Sequence, residues 1–175
     1  MSAAVRARYA ADRRGDHLRV VLKNLDYVKN VRLAETMEIA QDVARKLIES
    51  AAVRESVQQG DDDWEGDLVA AFHRLTRAQE RMSADNPDSI REWEHRNRDF
   101  HEALVSRCDS RWIHFLLDTL MHHTERYRRA SLTSGSVKRD VHGEHAALMQ
   151  AALDRDADRA AQLVVEHIDH TVRVI

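Results

Sequence analysis

From Leu33 onward the apolar residues of this chain return every third or fourth position. Leu33, Met37, Ala40, Ala44, Leu47 and Ala51 form the first such series. That interval follows the 3.6-residue turn of an α-helix and does not fit the two-residue alternation of a half-buried strand. Later series repeat it: Leu68, Ala71, Phe72 and Leu75, then Trp112, Phe115, Leu116, Leu120 and Tyr127. Each helix written this way must bury a stripe against its neighbours. One proline and five glycines in 175 residues leave little to interrupt them. The expected fold is therefore all-α, an antiparallel bundle of about six helices.

The few breaks set the element boundaries. Gln59-Gly60 ends the first helix, and "DDDW" opens the second with acidic residues at the positive end of its dipole. In "ADNPDSI", Asn86 caps a third helix that starts at Pro87 and runs to about Arg107. Asp109 or Ser110 caps the fourth, and "SLTSGS" reads as a loop. Helix five is expected over about 137–153 and helix six over 156–173, with "DRDAD" between them. Residues 1–30, including the basic "RARYAADRRGDHLR", are weakly patterned and read as an N-terminal arm or short helix. Residues 31–175 form one helical domain, a length that suits a single core.

Charge narrows the partners. Charged residues make up 33% and the net charge is -3, so no whole-chain basic field is present to hold nucleic acid. A single cysteine, Cys108, excludes an internal disulfide and fits a reducing cytoplasm. No apolar run approaches the ~20 residues of a membrane-spanning helix.

The histidines carry the chemistry. There are eleven, and three stand within stripes expected to face the core. His101 shares a face with Ile90, Trp93, Asn97, Leu104 and Cys108; His145 with Val141, Leu148 and Ala152; His167 with Ala160, Leu163, Val164, Thr171 and Val174. A buried imidazole needs partners, because burying a polar group unpaired costs roughly 1–3 kcal/mol. Three neutral imidazoles around a divalent cation would supply them and leave coordination positions for water or ligand. The competing account is three separately satisfied core histidines. The other eight, His17, His73, His95, His114, His122, His123, His142 and His170, lie on mixed faces and receive no role. Trp64, Trp93 and Trp112 read as core or interface aromatics.

"NRDFH" at 97–101, followed by "EHAALMQAALDRDADRAAQLVVEHI" at 144–168, resembles the C-terminal sensor (FCD) domain of FadR-type regulators in the GntR family. Arg45, Ile48 and Glu49 match the family's Arg-x-x-(Leu/Ile)-Glu on the first helix, so the likeness spans about residues 33–173. It implies a small carboxylic or dicarboxylic acid effector bound over a divalent metal, zinc or nickel. It also implies His101, His145 and His167 as metal ligands, with Asn97 in a fourth place where metal-bound members commonly carry Asp. Arg45 would be a second anchor for the effector, since guanidinium grips carboxylate in two-pronged fashion. The rival for Arg45 is an exposed residue pairing with Glu49 one turn on. A homodimer is implied, with DNA contacted only through a winged helix-turn-helix that these residues do not include. Two other readings compete: a metal-dependent enzyme on a helical bundle, and a non-catalytic helical dimerisation module. Against the enzyme, only Glu92 and His95 have di-iron Glu-x-x-His spacing, and no H-E-x-x-H occurs.

Overall fold

The computed structural model describes the backbone of residues 40–134 and 139–172, and the side chains of 40–125 and 139–171. The expected arm, the stripe positions Leu33 and Met37, and the side chains of Tyr127 and Val174 lie outside the described residues. Six helices account for nearly all of the described chain: α1 over residues 40–59, α2 Asp62–Glu80, α3 Pro87–Val105, α4 Arg111–Ser134, α5 Val141–Leu153 and α6 Ala157–Val172. No strand occurs among the described residues. None of these helices is long and apolar enough to cross a membrane.

Local chemistry explains where they begin. The Asp61 side chain accepts a hydrogen bond from the Trp64 amide at 2.9 Å, and Asp62, Asp63 and Glu65 fill the positive first turn of α2. Asn86 accepts from the amides of Asp88 and Ser89, with Pro87 just inside α3. Asp140 caps α5 by accepting from the Gly143 amide at 2.8 Å.

The core is built mainly by α1, α2, α3, α5 and α6, with Leu117 added from α4. Ala52, Val53 and Val57 from α1 meet Trp64, Leu68 and Leu75 from α2, Phe100 and Leu104 from α3, Leu148 from α5, and Val164 and Ile168 from α6. Trp64 fastens two of these layers, since its indole Nε1–H donates to the Ala103 carbonyl at 2.9 Å. Ion pairs Lys46–Asp169 (2.6 Å) and Arg54–Asp158 (2.9 Å) tie α1 to α6.

Two expected inward faces are overturned. On α1, Leu47 is 68% exposed and Ala40 and Ala51 face solvent; the buried face carries Arg45, Glu49, Ala52, Val53, Ser56 and Val57. Two of those residues are charged, and they can be buried because they neutralise each other, which an apolar pattern does not register. On α4, Trp112 is 65% and Phe115 62% exposed, while Leu117 and Met121 are buried. Both stripes have helical spacing, and only packing selects between them. α4 also extends to Ser134, into the stretch expected as a loop, since no glycine or proline stands between Arg111 and Ser134.

Candidate metal centre

Three helices deliver one imidazole each to the same place. α3 brings His101, α5 His145 and α6 His167, all buried, with 0%, 0% and 4% of their surface exposed. Ring centroids stand 5.5 Å apart for His101–His145, 5.2 Å for His101–His167 and 4.6 Å for His145–His167. One ring nitrogen from each lies within 4.8 Å of the others. Asn97, one turn before His101 on α3, is buried on the same helix. Phe100 walls the cluster, its ring meeting His145 edge-on at 5.2 Å.

The orientation of two rings is fixed by carboxylates. Glu49, fully buried on α1, accepts the His101 Nδ1–H at 2.7 Å through Oε1. Its other oxygen accepts from Arg45 Nε at 2.7 Å. Burial pushes the Glu49 carboxyl upward, but the charges of Arg45 and His101 outweigh it and hold the group far below the carboxylate range. Glu144, in the first turn of α5, accepts the His167 Nδ1–H at 2.8 Å and contacts His170 Nδ1 at 3.0 Å. Arg139 binds the same carboxylate through Nε at 2.8 Å and through a shorter contact from its terminal NH2. Burial raises Glu144, and Arg139 with His170 more than reverses that. For His167, burial first, then the positive charges of His101 and Arg139, pull the imidazole well below its usual value. The neutral form is the one that ligates metal.

These features suit a borderline divalent cation. The donors are three buried imidazoles, the ligand type that suits zinc, nickel and copper. Carboxylates take Nδ1 on two of them, which leaves Nε2 for the centre, the outer-shell arrangement common around histidine-bound metals.

Several contributors escape sequence reasoning. Glu49 and Glu144 are visible there as members of the family motifs but without a part in holding the histidines, and His170 receives no role. Arg139 carries no signal at all. A charged Arg-x-x-x-Glu pair on the inner face of α1 is the one cue that could have flagged Glu49, because an ion pair on a buried face needs a purpose. Arg45 is indeed paired with Glu49, but buried rather than exposed, with 1% of its surface accessible.

Residues 42–170 match the model of the FCD domain. The chain belongs to the FCD domain family. The likeness to FadR-type regulators of the GntR family, read from the histidine motifs, therefore holds. Two curated relatives are transcription regulators by name. This FCD domain is 42% identical over 131 residues to the uncharacterized HTH-type transcriptional regulator BphR of Paraburkholderia xenovorans, covering 75% of this chain and 54% of that one. It is 29% identical over 136 residues to the HTH-type transcriptional repressor GlaR of Escherichia coli, covering 75% and 61%. The chain thus spans a little over half the length of these relatives. A crystal structure of a GntR-family transcriptional regulator from Pseudomonas syringae pv. tomato superposes with a TM-score of 0.66 at 20% identity, covering 78% of this chain and 54% of that one. At that identity the likeness bears on the fold alone.

Proposed function

We propose that this FCD domain is the effector-sensing part of a GntR/FadR-type bacterial transcription regulator. In this reading it binds a small organic carboxylate or dicarboxylate at a divalent ion, zinc or nickel, held by His101, His145 and His167 with Asn97 in the fourth place. The observation that carries the reading is the convergence of three buried imidazoles from three separate helices. The ion would supply a positive acceptor for one effector carboxylate oxygen. Arg45 would offer a second anchor through its terminal NH groups, its Nε being committed to Glu49. The amide oxygen of Asn97 is neutral, so the fourth ligand would leave more positive charge for the effector than an aspartate would.

A binding role is favoured over a hydrolytic one by Glu144. As the carboxylate next to His145 it is the obvious candidate for a general base, yet Arg139, His167 and His170 occupy it. The regulatory step would be a shift between two packings of α1, α3, α5 and α6, limited by the effector's differential affinity for them. DNA would be contacted through a winged helix-turn-helix outside these residues, in a cytoplasmic homodimer matching paired half-sites.

Elemental analysis of the purified protein, followed by thermal melts with candidate carboxylates, tests this. The expected outcome is one zinc or nickel per chain, and a rise in Tm of roughly 5–10 °C for the right acid at a hundredfold excess over its Kd. His145→Ala should remove both. A protein that holds no transition metal after metal is supplied, and whose Tm no small acid moves, overturns the reading.

A further inference from the structure

Arg139 stands outside the helices, just ahead of α5, yet its guanidinium reaches three groups at the rim of the histidine cluster. Nε donates to Glu144 Oε1 at 2.8 Å, and NH1 donates to Thr171 Oγ1 at 2.9 Å. NH2 donates to Glu144 Oε2 and to the His167 carbonyl, the latter at 2.8 Å. The two hydrogens on NH2 are thereby used. NH2 also lies 3.2 Å from His167 Nδ1, but no hydrogen is left to donate there. Nδ1 in turn lies 2.8 Å from Glu144 Oε2, and an ionised carboxylate only accepts. The proton must therefore be on Nδ1, which leaves the Nε2 lone pair of His167 for the cluster.

The same order of groups recurs on the far side. Arg45 holds Glu49, and Glu49 takes the Nδ1 proton of His101. Two Arg–Glu–His relays thus reach the centre from different elements, one through α1 and α3, the other through α5 and α6. They differ in burial. Arg45 and Glu49 are 2% and 0% exposed at the side chain, Arg139 and Glu144 15% and 21%. The outer relay can be altered without leaving a fully buried charge alone.

We propose that Glu144, clamped by Arg139, is the positioning residue that sets the tautomer of His167 and so turns its Nε2 into a metal donor. Its effect on affinity rests on the metal reading above; its effect on the tautomer does not. Metal-ligating histidines commonly use a carboxylate in this way, and loss of the carboxylate weakens metal binding by about 10–100-fold.

Two measurements on the whole chain and its variants decide the matter. Long-range proton–nitrogen NMR of the metal-free protein should show His101 and His167 both protonated at Nδ1. In Glu144→Ala, His167 should move to a mixed or Nε2-protonated state while His101 stays as it is. In Glu144→Gln the amide oxygen can still accept, so the His167 tautomer should be kept. Competition of zinc(II) against a chelating dye should give about 10–100-fold weaker binding for Glu144→Ala and a smaller loss for Glu144→Gln and Arg139→Ala. Retention of the Nδ1–H form by His167 in Glu144→Ala overturns the proposal, and so does a zinc affinity within about twofold of the parent. Should the parent protein take up no zinc, the metal reading alone falls, and the tautomers still decide this inference. Glu144→Gln keeps the test valid if the alanine variant folds poorly.

Discussion

At the scale of single residues, the three histidines were legible and their supports were not. His101, His145 and His167 each interrupt an apolar stripe, so periodicity singles them out. Glu49 sits on a buried face beside a charge of opposite sign, and Arg139 acts across folded space on a residue of another turn; neither leaves a periodic trace. Gly60 shows a comparable limit. Its sequence context reads as a helix stop, but its structural reason is contact. A Cβ there would lie 2.2 Å from Trp64 Cε3 and 2.7 Å from two further ring carbons. The ring cannot yield easily, because it is buried, its Nε1 is bonded to Ala103 and Arg155 lies over its face at 5.2 Å. Gly60→Ala should therefore destabilise the domain by about 1–3 kcal/mol, as overpacked cores do. Denaturant melts check it, and an unchanged midpoint would show that the ring has room to move.

At the scale of elements, the number and order of helices followed from spacing and breakers, whereas the buried faces of α1 and α4 did not. Both helices carry apolar residues on more than one side. Sequence supplies the period, while packing against a specific neighbour supplies the phase. On α1 the phase is set by Arg45 and Glu49, which pattern reading discounts because they are charged. This leads to a contrast between two leucines of the same size. Leu47 on α1 is 68% exposed and Leu68 on α2 is fully buried. Leu68→Ala should cost about 2–5 kcal/mol through lost transfer energy and a cavity. Leu47→Ser should change stability by no more than about 0.5 kcal/mol, as surface substitutions do. Equal losses in urea titrations would mean that Leu47 is covered by something in solution. For α4, the same experiment on Phe115 would report on the exposed side of that helix.

At the scale of the whole molecule, α1 is fastened to the turn between α3 and α4 by side chains that no local pattern could have paired. Glu55 accepts from the Asp109 amide at 3.0 Å and from the Cys108 thiol at 3.3 Å, and Ser56 Oγ accepts from the Arg107 amide at 3.0 Å. The Asp109 amide first, and then the Cys108 thiol, hold the Glu55 carboxyl below its ordinary 4.5. The ionised form is favoured in the folded state, so the unfolded chain binds the proton more readily. Stability from this group is complete above about pH 4.5 and is lost as pH falls through the lower folded-state value. Glu55→Gln should melt roughly 2–4 °C below the parent at pH 7, corresponding to about 1 kcal/mol in a domain of this size. That gap should narrow as the pH falls below 4.5 and the carboxyl takes up its proton. A constant gap would remove the charge from the explanation.

The order in which the three imidazoles occur along the chain has a mechanical consequence. Two whole helices, α4 and α5, lie between His101 and His167, and an ion shared between them would stitch a loop of 66 residues (167 minus 101). In the chain-entropy account, such a closure restrains the unfolded ensemble by about 4 kcal/mol, comparable with a disulfide spanning the same stretch. Unlike the covalent version, such a staple would need no oxidising compartment. Supply of a trace element would then govern how long each copy survives proteolysis, before any effector arrives.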